Sequence, residues 1–171
     1  MAELSDPQRE GESGSVTEPD YVTNLKKFFN DGYNTGTYYK SIASKEQLEF
    51  EAKEALREYL RTKYEDIDRF LNEWKMTFLS DGPFETQEDL SSIKQKMTDP
   101  DDFMTGLYIQ DMLTNRDDAK EATEAYIEAF VSKNNKRVAL FYLGDDDIMH
   151  GVLAAGVRSN MDAVFVVYLS D

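Results

Sequence analysis

The residues whose types and clustering could do chemistry are carboxylates and one histidine. The sharpest group is Asp145-Asp146-Asp147, with His150 three residues on. Carboxylates at a strand end can hold magnesium together with substrate phosphates. A lone imidazole can act as a general base where the fold supplies a nucleophile or an orienting carboxylate. Consecutive aspartates point in different directions, however, and no phosphate-binding glycine loop or basic clamp accompanies them. A charged, solvated turn between two strands explains the same residues. Asp99, Asp101 and Asp102 suggest calcium, but an EF-hand loop requires glycine at its sixth position and glutamate at its twelfth. Met104 and Gln110 stand there instead, and aspartates are equally at home at a helix N-terminus. The absence of cysteine removes disulfides, thiolate catalysis and thiolate metal sites together. The serines lack the elbow motif that exposes a nucleophile.

Charge is more informative than motif. Of the net −15, residues 21–80 contribute nothing, with ten acids and ten bases, whereas residues 81–118 carry ten acids against three bases. An acidic surface repels phosphate backbones, so direct nucleic-acid binding is not expected. It can instead dock on a basic partner by charge complementarity. Within Asp81–Asp118, Phe103, Leu107, Tyr108 and Met112 are interspersed among the acids. A second binding feature is the segment holding Tyr33, Tyr38 and Tyr39 among Asn34, Thr35, Thr37 and glycines. Tyrosine with small polar residues is a recognition composition, because tyrosine gives large contact area at low entropy cost. The candidate partner-binding residues are therefore Tyr33, Tyr38, Tyr39, Asp99, Asp101, Asp102 and Tyr108. No catalytic residue, cofactor or metal site is assigned.

These residues need elements to position them. Residues 1–19 are polar and acidic and read as a disordered arm. Tyr21, Leu25, Phe28 and Phe29 share one helical face, and Asn30–Tyr39 reads as a loop. Ser44-Lys45-Glu46-Gln47 has the form of a capping box. Beyond it, Leu60, Tyr64, Ile67, Leu71, Trp74 and Phe78 step by 4,3,4,3,4, a heptad seam. The seam favours one continuous or kinked helix over Lys45–Leu79; a second capping box at Thr62-Lys63-Tyr64-Glu65 argues for a break. Shorter helices are predicted at 86–97, at 100–113 after Asp99-Pro100, and from Thr114-Asn115-Arg116-Asp117 to about Lys133. Val138–Leu143 and Ala163–Leu169 read as strands. Ile148–Arg158 is read as a third strand, because Gly151 and Gly156 would cost about 1 kcal/mol each inside a helix; a β-α-β unit is the alternative.

The expected fold is α+β: a single domain over 20–171, with a helical part (20–134) packed on one face of a small C-terminal antiparallel three-stranded sheet (136–170). The expected function is a non-catalytic acidic protein-binding module, in an inhibitory, immunity-like, adaptor or regulatory role, docking on a basic partner surface. The alternatives are a metal-dependent enzyme using Asp145–Asp147 and His150, and an assembly subunit pairing through the helical seam. No apolar run approaches a bilayer span, and no secretory signal is legible at the start, so a cytoplasmic protein with no membrane contact is expected.

Overall fold

The computed structural model describes residues 18–170. Among the described residues there are five α-helices and one five-stranded antiparallel sheet. In chain order these are α1 (Asp20–Phe28), β1 (Thr35–Ser41), α2 (Leu48–Arg61), β2 (Lys75–Asp81), α3 (Gln87–Thr98), α4 (Phe103–Thr114), α5 (Ala119–Phe130), β3 (Asn135–Gly144), β4 (His150–Arg158) and β5 (Asp162–Ser170). Two 3₁₀ turns, Lys45–Gln47 and Ile67–Leu71, flank α2. The strand order is β1-β5-β4-β3-β2.

The centre of the sheet is the predicted C-terminal meander. Ala139 faces Ala155, and Ala155 faces Phe165, across β3, β4 and β5. Ile148–Arg158 does contain a strand rather than a helix, and Gly151 shows why glycine suits it: a Cβ there would stand 1.9 Å from the Tyr168 carbonyl oxygen. The sheet is nevertheless larger than three strands. Its edges are β1 and β2, both drawn from the part of the chain read as helical or loop.

The helices also cover both faces rather than one. Val138, Leu140, Val152, Ala154, Val164 and Val166 point into a core built with α1, α3, α4 and α5. Their neighbours Ala139, Phe141, Leu153, Ala155, Phe165 and Val167 point into a second core beneath α2 and the Ile67–Leu71 turn. Successive strand residues face opposite ways. A strand buried on both sides must therefore be apolar at consecutive positions, as β3 is over 138–143, β4 over 151–157 and β5 over 163–169.

The continuous helix over Lys45–Leu79 does not form. Helix α2 ends at Arg61, and the chain turns through Lys63, whose amide donates to the Leu60 carbonyl oxygen at 2.8 Å. After the second 3₁₀ turn it returns as β2 along β3. The heptad stripe is real as burial but not as a helix face. Leu60, Tyr64, Ile67, Leu71 and Trp74 all pack on the second core, and Trp74 stacks on Phe141 with ring centres 4.7 Å apart. Phe78 alone faces the first core. Hydrophobic burial imposed the spacing while the backbone changed conformation beneath it, so there is no helical seam for assembly.

Smaller corrections follow the same logic. Ser44 makes no side-chain cap bond. Helix α4 starts at Phe103, not at Pro100, because Asp102 is its N-cap: the carboxylate accepts the Thr105 amide at 3.1 Å. Most of the acidic arm lies outside the described residues. Its last two positions belong to the fold, since Glu18 pairs with Lys26 and the Pro19 carbonyl accepts the amides of Val22 and Thr23.

Candidate functional site

The three tyrosines do not form one patch. Tyr33 stands in the turn before β1 and is 84 % exposed; its amide donates to Asp31 Oδ1 at 2.8 Å and its carbonyl accepts the Tyr59 hydroxyl at 3.0 Å. Tyr38 and Tyr39 are consecutive on β1 and so point to opposite faces of the sheet. Tyr38 packs on the core beneath α2, where burial and the Glu58 charge push its phenol up to about 12. Tyr39 packs on the other core and donates to the Asp162 carboxylate; burial and that bond both raise its pKa. Of the three, only Tyr33 is largely exposed; Tyr38 and Tyr39 are half-buried.

The Asp145–Asp147 turn is committed to its own backbone. Asp145 Oδ1 accepts the amides of Asp147 at 2.9 Å and Met149 at 3.1 Å, and its carboxylate lies 3.8 Å from Arg69. Asp146 occupies the left-handed region, φ 63°, and donates its amide to Glu73 Oε2 at 2.8 Å. His150 Nε2 is 2.9 Å from the Asp147 carbonyl oxygen, an acceptor that requires the proton on Nε2. Nδ1 is then free to accept the Tyr142 hydroxyl at 2.8 Å, with Glu73 Oε2 at 3.5 Å. Both ring nitrogens are engaged, and the ring stacks on Tyr142 beside Tyr108. Burial, then the Glu73 charge, pushes the Tyr142 phenol up to about 12. The arrangement braces the β3–β4 hairpin against the segment before β2. Among the described residues no group of three or more histidine, aspartate or glutamate side chains is placed to hold a metal ion.

The acid-rich stretch 81–118 is more neutralised than its composition suggests. Asp81 is held by Arg137 at 2.5 Å and Lys45 at 3.1 Å. Asp101 pairs with Lys96, Asp102 with Lys75, and Asp118 with Arg116. Asp111 accepts the Tyr168 hydroxyl. Three of these carboxyls are held below the usual range. The Arg137 and Lys45 bonds bring Asp81 to about 2, the Thr105 amide and hydroxyl lower Asp102, and the Arg116 bond lowers Asp118. Glu85, Glu88, Asp89, Asp99 and Asp117 form no ion pair among the described residues.

What singles out one region is the apolar side of α4. Its sequence, FMTGLYIQDMLT, has no charge before Asp111 and is apolar nearly all round. Such a helix is normally buried on every side. Here Thr105, Ile109, Met112 and Leu113 are buried, while Phe103 is 73 % exposed, Leu107 49 % and Met104 37 %. Phe103 and Leu107 are one turn apart and share a face. Beside them is a cleft of about 280 Å³ lined by Asp99, Pro100, Asp101, Phe103, Gly106, Leu107 and Gln110. Tyr108 lies on another flank, against Tyr142 and His150. The structure thus brings Asp99 and Asp101 together with Phe103 and Leu107. Asp102 caps the helix next to them, and the tyrosines of β1 stand apart.

Sequence reasoning named Phe103 and Leu107 but missed Gly106 and Gln110. The available signal was a helix with more apolar surface than one buried face can use. A second acidic surface was also missed: Glu121, Glu124 and Glu128 line a cleft of about 420 Å³ between α1 and α5, over Phe28 and Ala125. Among the described residues no helix is long and apolar enough to cross a membrane. No family model, curated protein or solved structure matches this chain.

Proposed function

We propose that this protein is a non-catalytic binding module that docks on a basic surface of another protein, in an inhibitory, immunity-like, adaptor or regulatory role. The observation that carries this reading is the exposed face of α4, where Phe103 and Leu107 stand in water beside Asp99 and Asp101. Interfaces combine a small apolar centre with a polar rim, and rim charges steer the encounter and reject wrong partners. Apolar residues here would supply the centre. Asp99 and Asp101 would supply a negative rim that disfavours a second copy of this chain, at net −15, as the occupant. The Asp101–Lys96 pair does not oppose docking, because the Asp101 side chain is exposed and such pairs are worth little.

The test is affinity capture from the source cells with the full chain, comparing wild type with the double reversal Asp99→Lys/Asp101→Lys. A captured basic protein, released by raised salt and lost in the reversal, is the expected result. Capture that ignores both salt and the reversal would contradict docking through this face.

A further inference from the structure

Gly106 is out of place by the fold's own needs. It sits inside α4, where glycine is the least favourable residue after proline. Its φ is not positive, since Gly32 is the only glycine among the described residues in that region. Nor does close packing demand it: a Cβ added at Gly106 would meet nothing nearer than the Pro100 carbonyl oxygen at 3.4 Å, an ordinary contact. Alanine would fit and would strengthen the helix. What the missing side chain does leave is room, because Gly106 lines the cleft beside Phe103 and Leu107.

The chemistry of that cleft is specific. Phe103, Leu107 and Pro100 give it apolar walls, and Asp99 and Asp101 place two carboxylates at its edge. Gln110 also lines it, its amide donating to the Thr98 carbonyl oxygen at 2.6 Å. Apolar walls with carboxylates at the rim suit a long cationic side chain, whose stem packs on carbon while its head reaches the charge. A planar guanidinium can also lie on an aromatic face and bond carboxylates with a fixed fork of donors, which an ammonium cannot do.

We infer that the cleft beside Gly106 receives an arginine side chain of a basic protein partner, its stem against Leu107 and Pro100 and its guanidinium between Phe103 and the carboxylates of Asp99 and Asp101. This rests on the docking role proposed above and adds the residue that is recognised. Gly106 is kept, at a cost to the helix, because a methyl group there narrows the space for the arginine stem.

The test uses the full chain and a synthetic peptide carrying one arginine flanked by leucines, titrated to millimolar concentration and followed by amide chemical shifts. Shifts centred on Gly106, Leu107 and Gln110 are expected, weakened about tenfold when the peptide arginine becomes glutamine and clearly weakened by lysine. Gly106→Ala should raise Tm by about 2–4 °C while weakening the peptide several-fold, opposite signs that a structural role for the glycine would not produce. If Gly106→Ala leaves affinity unchanged while Asp99→Asn still weakens it, the arginine cleft is wrong and acidic docking survives. If the peptide perturbs no α4 amide, or shifts the Glu121–Glu128 groove instead, both readings of α4 fail. Self-association in sedimentation that Phe103→Ala abolishes would give the face to a second copy and also overturn the inference.

Discussion

Truncating three residues of α4 in turn tests whether its outer face is truly uncovered. Ile109 is fully buried, Leu107 is 49 % exposed and Phe103 is 73 % exposed, all within seven positions of one helix. Burying a whole side chain of this size stabilises by about 1.5–3 kcal/mol, and removing a buried one to alanine costs about 2–5 kcal/mol once the cavity is included. Ile109→Ala should therefore cost about 2–5 kcal/mol. Leu107 buries half its surface, so Leu107→Ala should cost about 0.8–1.5 kcal/mol. Phe103 buries roughly a quarter, so Phe103→Ala should cost about 0.4–0.8 kcal/mol, despite being the largest truncation. Urea unfolding provides the assay, followed by the fluorescence of Trp74, which stacks on Phe141 in the opposite core and so reports global loss of the sheet. Shifts in midpoint at constant slope give the stability differences. A Phe103→Ala cost equal to that of Ile109→Ala would show that the ring is covered by the protein itself and would remove the docking face.

Acid titration should expose the Asp81 pair. Its folded pKa, about 2, lies below the ordinary 3.8, so its stabilisation is complete above the ordinary value and vanishes as pH falls through 2. The Asp81 side chain is 41 % exposed, and screening reduces the full linkage value to about 1 kcal/mol. The stability gap between wild type and Asp81→Asn should shrink from that value at pH 6 toward zero at pH 2; a gap independent of pH would contradict this. Tyr126→Phe should cost about 1–2 kcal/mol, because the buried hydroxyl donates to the Met97 carbonyl oxygen at 2.7 Å and leaves it unpaired when removed; an unchanged urea midpoint would count against it. Asp102→Ala should cost about 1–2 kcal/mol and Asp102→Asn much less, since asparagine also caps. Equal losses in thermal melts would mean that charge toward Lys75, not the cap, matters there.

The parts of this fold that the sequence revealed were those where local pattern and burial agree. Helices α3, α4 and α5 and the C-terminal meander came from stripes and β-rich runs whose period matched their backbone. The stretch from Leu60 to Phe78 misled because a helix–turn–strand path can bury residues every three or four positions just as a helix does. Strand β1 was hidden by the turn formers of Asn30–Asn34, although Thr35, Thr37, Tyr38 and Tyr39 are good strand residues. The second helical layer was legible in principle: β3, β4 and β5 are apolar at consecutive positions, which requires cover on both faces. At the site, the acids were visible and their pairing was not. Lys45, Lys75 and Arg137 reach Asp81 and Asp102 from elements distant in sequence, so local charge counts overstated what remains free. The exposure of Phe103 and Leu107 depends on which side of α4 the core claims, a tertiary fact that composition does not contain.

Amide hydrogen exchange on the full chain, alone and bound to its captured partner, tests docking through α4 most directly. New protection over 99–110, released by raised salt and absent in Asp99→Lys/Asp101→Lys, is expected. Protection centred on Tyr33, on the Asp145–His150 turn or on the Glu121–Glu128 groove, with 99–110 unchanged, would contradict docking through α4.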